Sequence, residues 1–513
     1  MDPDLALGIV IVGIVTCLFG FKSSREFIER FTMSEQTRRT RNIHSFEDRD
    51  VLASSRWSTK KQLKKAGYLK PGGIRIGPLF YHGVGHILII AGARTGKFFT
   101  VMAATILSLG RRSLFMIDQK AEMISVCGRA RKRWGKVIII NSFGICASHT
   151  KEFIQGIYNP FDIADVNRPD FHVMCEKIAD AFRPERGAVR DPHWWDTASA
   201  AISGTIAALK RYGKPEQQNL MMMRQIITGG SGRSFYAFCR SLKNCDDRFI
   251  REKLAVFAAP GAEDSNELKS VLSTMATQTK WLANEASAKV FGGKSNFRFR
   301  DLRRYPGMTI CACLPLKTLD ICYPIYALLT SCMLAELMDC KGAPVLAIID
   351  EAAQIPWFKA WQDAWAMAAG AAGIQIMAAY QNLGQIMTQM GDAWQVVLAN
   401  SGCGLFFGVR DQETRELVSQ MAGTTDISVY SKNVNTSIGF WSSEPTSISE
   451  SYGHHMRNLI NPDEVGSLTE LDGMIVLADG IPPTLCKRTS YLKEFRGQYR
   501  DNPYYQKKRW FGL

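Results

Sequence analysis

The feature that most limits the fold of this chain is a rhythm in residues 86–140. Residues 86–91 (HILIIA) form an apolar run of strand length, a glycine-containing turn follows, and residues 97–109 carry helical spacing. A second apolar run occupies 113–118 (SLFMID), a basic helical stretch comes next, and residues 137–140 (VIII) form a third run. Parallel strands need a long crossover, usually a helix, and are covered on both faces, so they read as unbroken apolar runs. The rhythm therefore predicts a parallel sheet between helical layers. It stops near residue 165 and returns at 309–314, 345–350, 373–379 and 404–409, with a last strand at 473–477. Between the two halves, residues 171–294 place apolar side chains at three- and four-residue steps, as in WWDTASAAISGTIAAL from Trp194. The expected fold class is α/β: one mainly parallel sheet built from two sequence-distant halves, with an all-α domain inserted between them. Residues 427–453, rich in Ser, Thr and Asn, are expected to form a loop or hairpin.

One segment belongs in a membrane. Residues 5–21 (LALGIVIVGIVTCLFGF) contain no charge. As a helix they span about 26 Å, close to the hydrocarbon thickness of a bilayer. A signal peptide begins with positive charge, whereas this chain begins with Asp2 and Asp4 and has no Lys or Arg before the apolar run. The expectation is an uncleaved transmembrane anchor. Lys22, Arg25, Arg30, Arg38, Arg39 and Arg41 follow it, which orients the bulk of the chain toward the cytoplasm. The mean hydropathy of −0.09 excludes a polytopic carrier. A net charge of +15, from 63 Lys and Arg against 48 Asp and Glu, favours an anionic partner such as nucleic acid, nucleotide or anionic lipid. The 13 cysteines lack any CxxC pair and are read as reduced core thiols, with Cys311 and Cys313 on one strand face. His454 and His455 are read as lying in a polar loop, not as metal ligands.

The candidate chemistry sits at the strand ends. Ala91–Gly92–Ala93–Arg94–Thr95–Gly96–Lys97–Phe98 follows the first strand. A phosphate-binding loop needs flexible backbone whose N–H groups converge on phosphate, a Lys for the β- and γ-phosphates, and a neighbouring hydroxyl for Mg²⁺. Gly96 and Lys97 fit. Ala91 stands where the first Gly of GxxxxGK[ST] is expected and Phe98 where Ser or Thr is expected, while Thr100 lies two residues too far along. The second signal is APVLAIIDEAAQI, an apolar strand ending in Asp350 and Glu351. Asp350 is the candidate Mg²⁺ ligand, directly or through water, and Glu351 the candidate for polarising attacking water. Gln381 follows another strand, where it could sense the γ-phosphate. Arg410 precedes a helix, where it could stabilise transferred charge across a subunit boundary. The segment Asp118–Gln119–Lys120–Ala121–Glu122 ends the second strand near this site, with no role assigned.

Taken in order, the motifs ARTGK, DQKAEM, YNPFD, HWWDTA, IIDEAAQI, AAYQNLGQI, VLANSGCGLFFGVRDQET and SYGHHMRNLINPDEVGSL resemble the type IV secretion coupling proteins, the conjugative DNA-transfer ATPases. The resemblance runs from about residue 70 to 490. It implies a RecA-like and FtsK-like P-loop core, ATP and Mg²⁺ as ligands, anchoring in the inner membrane, and assembly as a homo-hexamer at the base of a secretion channel. The implied partners are type IV secretion inner-membrane components, relaxase-bound single-stranded DNA, and effector proteins. Lys97, Asp350, Glu351 and Gln381 fall on the family's phosphate, Mg²⁺, water and sensor positions. The departures are Ala91, Phe98 and a single membrane helix where many members have two. They motivate an alternative, a non-hydrolysing docking receptor that keeps the fold. A double-stranded DNA translocase would need a dedicated reading module, and residues 490–513 are too few to form one. The expected organisation is an anchor at 1–22, a basic linker at 23–70, nucleotide-binding halves at 71–170 and 301–490, the all-α insertion at 171–300, and a basic aromatic tail at 491–513.

Overall fold

A computed structural model describes residues 53–183, 192–229, 234–355, 361–366, 373–435, 447–468 and 472–505. The expected membrane anchor at 5–21 and most of the basic linker lie outside the described residues. The chain divides into two compact units. The larger comprises residues 57–421 and 460–513, and the smaller comprises 1–56 and 422–459.

The larger unit opens on a short antiparallel hairpin, β1 (Ile74–Ile76) and β2 (Leu79–Tyr81). The strands that follow are β3 (His86–Ala91), β4 (Ser113–Ile117), β5 (Val137–Ile140), β6 (Ile154–Gln155), β7 (Thr309–Ala312), β8 (Val345–Ile349), β9 (Ile374–Tyr380) and β10 (Ser401–Phe407). In the smaller unit, β11 (Thr424–Asn435) pairs antiparallel with β12 (Ser447–Asn458). The segment read as a loop or hairpin is thus a hairpin, and His454 and His455 lie on its second strand rather than in a loop. Back in the larger unit come β13 (Gly473–Ala478) and β14 (Thr484–Lys487).

Ten of these strands form one sheet in the order β14-β13-β10-β3-β9-β8-β4-β7-β5-β6. From β10 to β6 every pairing is parallel, and β13 and β14 add an antiparallel edge. Strands β3, β4, β5, β7, β8 and β9 are buried along their whole length, as continuous apolar runs require. The α/β reading with a mainly parallel sheet is borne out. The two halves are interleaved: β3 lies between β10 and β9, and β4 between β8 and β7.

Between β6 and β7 the regular elements among the described residues are all helical. Asn219, Ser234, Asp247, Ser265 and Asn284 each accept the backbone N–H three residues on, which satisfies a donor the helix itself leaves free. The helix Leu319–Met338 links β7 to β8. Its 18-residue stretch Ile321–Met338 is long and apolar enough to cross a bilayer, but 72% of it is buried in the protein, as in a core helix. The described cysteines form no disulfide; eight are buried, as the core-thiol reading expects, whereas Cys146, Cys245, Cys340 and Cys486 are half-buried. Cys311 and Cys313 share a strand face, with their sulfurs 3.6 Å apart.

Candidate nucleotide site at the strand ends

The loop after β3 is shaped by close backbone approach. A Cβ on Gly92 would lie 2.4 Å from the Gly408 carbonyl oxygen, so only glycine fits there. Gly96 and Arg94 take left-handed backbone, at φ 84° and 60°. Thr95 closes the turn, its hydroxyl donating to the Gly92 carbonyl at 2.7 Å. The Thr100 hydroxyl donates to the Gly96 carbonyl at 3.0 Å. Ala93 and Arg94 are exposed, Thr95, Gly96 and Lys97 half-buried.

The helix expected at 97–109 begins differently. Phe98–Met102 is a π-helical turn, and regular α-helix covers only Ala103–Ser108. Phe98 is 5% exposed. Its ring lies 5.6 Å from Phe99 and 5.6 Å from Tyr491, both edge-on. The bulky side chain that replaces the expected hydroxyl is therefore packed into an aromatic cluster.

Beyond the single intervening strand β9, β8 is followed directly by Asp350 and Glu351. Lys97 Nζ lies 3.5 Å from Asp350 Oδ1 and 4.0 Å from Glu351 Oε1. Neither Lys97 Nζ nor Asp350 Oδ1 has a hydrogen-bond partner, and both are buried. Burial raises the Asp350 carboxyl above the ordinary carboxylate range, with the Lys97 ammonium opposing it. Glu351 takes left-handed backbone at φ 54°, an uncommon conformation for a side chain of this size. Lys120 Nζ lies 3.2 Å from Glu351 Oε1. Burial depresses the Lys120 ammonium, but Glu351 and Asp350 outweigh it and the net shift is upward. Asp118, fully buried, is pushed up to about 7 by desolvation, against two backbone N–H donors from Ile124 and Glu122 and with a further upward push from Asp350.

The structure thus brings Lys97, Asp350 and Glu351 together. Gln381 directly follows β9, the strand between β3 and β8, and its backbone N–H donates to the Gln385 side chain at 2.8 Å. Arg410 is exposed beyond β10, the strand that flanks β3 on the side away from β8. Three contributors escaped assignment from sequence. Lys120 was only placed nearby. Gly408, at φ 63°, abuts Thr95. Arg488 donates from Nη1 to the Thr95 carbonyl at 2.6 Å and lies over the Phe407 ring at 4.6 Å. A glycine directly after an apolar strand is the one signal that could have pointed to Gly408.

A sequence model of the family described as type IV secretory system conjugative DNA transfer matches residues 45–510. The chain belongs to that family. The resemblance read from its ordered motifs is borne out. Protein VirD4 of Agrobacterium fabrum is 22% identical over 475 residues, covering 88% of this chain and 67% of that protein. Conjugal transfer protein TraG of Escherichia coli is 21% identical over 518 residues, covering 86% of this chain and 76% of that protein. Among solved structures, plasmid coupling protein TrwB in complex with the non-hydrolysable ATP analogue ADPNP superposes with a TM-score of 0.64 at 16% identity, over 86% of this chain and 94% of that one. TrwB in complex with ADP and Mg²⁺ superposes with a TM-score of 0.61 at 14% identity, over 85% and 93%. At such identities the likeness carries the fold of the conjugative DNA transfer family.

Proposed function

We propose that this chain is an ATP-driven coupling protein, held in the inner membrane by residues 5–21, that delivers substrate to a type IV secretion channel. The observation that carries the reading is the buried, hydrogen-bond-poor Lys97–Asp350 pair at the ends of β3 and β8. Burying two charges without completing their hydrogen bonds is costly, and a nucleotide phosphate with Mg²⁺ would satisfy both at once. TrwB, similar in fold, is described in complex with ADPNP and with ADP and Mg²⁺.

In this reading the backbone N–H groups of residues 92–98 cradle phosphate, and Lys97 Nζ neutralises its charge. Asp350 would hold Mg²⁺, which when bound offsets charge on the phosphate oxygens. The loop offers no hydroxyl in the usual place, because Phe98 is buried and Thr95 and Thr100 donate to loop carbonyls. Glu351 orients the attacking water and takes its proton on a carboxylate oxygen. Gln381 senses the γ-phosphate from the intervening strand. Arg410, exposed at the unit's surface, reaches toward the site of a neighbouring copy in a homo-hexamer. The basic chain engages nucleic-acid phosphates, so its affinity for single-stranded DNA falls steeply with salt. Relaxase-bound DNA and effector proteins are the substrates, and the inner-membrane components of the secretion machine the partners. One observation favours a second reading, a docking receptor that does not hydrolyse: the missing loop hydroxyl at Phe98.

The test is nucleotide binding and turnover by the full-length protein in lipid nanodiscs, with and without single-stranded DNA. Lys97→Ala is expected to lose binding and turnover, and Glu351→Gln to bind without turning over. Wild-type protein that binds but never hydrolyses contradicts the motor, and absence of binding leaves only the docking receptor.

A further inference from the structure

The turn after β4 presents a second lysine to the site. β4 and β8 pair in parallel, with Ile117 opposite Ile349, so the segments beyond them run side by side. Lys120 Nζ and Lys97 Nζ approach the same oxygen, Glu351 Oε1, at 3.2 and 4.0 Å. The two cations differ in what else they do. Lys97 lies on the phosphate loop, and its amine has no hydrogen bond to hold it in place. Lys120 already donates to Glu351.

The backbone around Lys120 is fixed from several directions. Asp118 accepts from the Glu122 and Ile124 N–H groups at 3.0 and 2.9 Å, which closes the turn. Ala121 adopts a left-handed conformation at φ 52°. The Lys120 carbonyl accepts the Tyr504 hydroxyl at 2.7 Å and the Cys146 thiol at 3.6 Å. Glu351, by contrast, is in a left-handed turn after β8, where neither strand nor helix dictates the direction of its side chain.

Resting on the ATPase reading above, we propose that Lys120 is a positioning residue for Glu351. When phosphate recruits the Lys97 amine, Lys120 becomes the cation that keeps the Glu351 carboxylate aimed at the attacking water, and Tyr504 sets the height of Lys120 from a segment nearly four hundred residues away. A merely structural pair of this exposure would contribute little, and its loss would leave turnover unchanged. A positioning pair has a different signature: the rate depends on it, while nucleotide affinity does not.

The experiment uses the full-length protein in nanodiscs and compares wild type with Lys120→Met, Lys120→Arg, Tyr504→Phe and Glu351→Gln. Steady-state ATP hydrolysis gives kcat and KM, and titration with a fluorescent ATP analogue gives affinity. Lys120→Met is expected to lower kcat about 100-fold, with KM and affinity held within about threefold. Lys120→Arg should recover most of the rate, and Tyr504→Phe should give an intermediate loss. Wild-type kcat in Lys120→Met, beside a dead Glu351→Gln, overturns this inference alone. So do parallel losses of kcat and affinity, which would make Lys120 a phosphate ligand instead. Wild-type protein inert toward nucleotide overturns this inference together with the ATPase reading.

Discussion

Gly408 offers the sharpest test of how the phosphate loop is held. It follows β10 at φ 63°, and a Cβ there would lie 2.2 Å from Thr95 Cγ2 and 2.6 Å from Thr95 Cβ. Gly408→Ala therefore has two separable effects. The first is the left-handed backbone, which costs an L-residue about 1–2 kcal/mol. The second is the collision, for which overpacking suggests about 1–3 kcal/mol more. Gly480 isolates the first: it sits at φ 77° with nothing within 4 Å of the added carbon. Gly480→Ala should lose only the backbone component. In Gly408→Ala, Thr95 must move, and with it the hydroxyl bond to Gly92 and the Arg488 bond to its carbonyl. If the loop holds phosphate as proposed, losing one charge-assisted contact weakens binding by about 1.5–3 kcal/mol, or roughly 10–100-fold. Denaturant unfolding supplies the stabilities and a fluorescent nucleotide titration the affinity. The reasoning fails if Gly408→Ala binds nucleotide as wild type does and loses no more stability than Gly480→Ala.

Three further outcomes are expected. Phe98→Ser, which restores the usual residue type, should lower stability by about 3 kcal/mol, because it removes a ring from the Phe99–Tyr491 cluster. It should not raise turnover, since the new hydroxyl faces the cluster; a higher kcat would contradict this placement. His86 is buried, accepts the Ile376 N–H on Nδ1 and lies 3.1 Å from the Ala364 carbonyl through Nε2. Desolvation lowers its pKa from 6.5 to about 4. The unfolded chain then takes up a proton that the folded chain refuses, so stability is intact above pH 6.5 and falls as pH drops toward 4, by about 2–3 kcal/mol. Denaturation at pH 7.5 and 4.5 should show that loss, and it should shrink in His86→Gln. Arg131 is buried and donates to Thr309 Oγ1 and to the carbonyls of Gly110, Arg112 and Gly307. Arg131→Met should cost about 3 kcal/mol or more by stranding those acceptors, read as a lower denaturant midpoint.

The buried strands were legible because a parallel strand covered on both faces is an uninterrupted apolar run. β3 and β5 match their expected residues, while β10 starts three residues before the expected 404. Gly402 disguised that start; the strand carries a glycine there because a Cβ would meet the Tyr81 hydroxyl at 2.0 Å. Strands β1, β2, β6 and β14 were missed. They are two to four residues long, and β6 and β14 lie at the sheet's edges, so burial leaves little pattern in them. Of the site, Lys97, Asp350 and Glu351 could be read because strand ends in a parallel sheet share one rim. The roles of Lys120 and Arg488 could not, because which strands are neighbours is set by tertiary packing. The orientation of Phe98 depends on Tyr491, whose distance along the chain gives no local signal.

The interleaved strand order bears on how the protein comes to exist. Of the four early strands, only β5 and β6 pair with each other; β3 waits for β9 and β10, and β4 for β7 and β8. During synthesis the early half emerges as apolar strands with open edges, the kind of surface that seeks other chains. The loop after β3 is finished later still, since Arg488 reaches back 393 residues to Thr95. A fragment ending before β10 holds Lys97, Asp350 and Glu351 but lacks Gly408 and Arg488, the two residues that hold Thr95 from later in the chain. The chain has to be shielded until its second half arrives, and the loss of later strands should give insoluble product rather than a soluble, less stable protein.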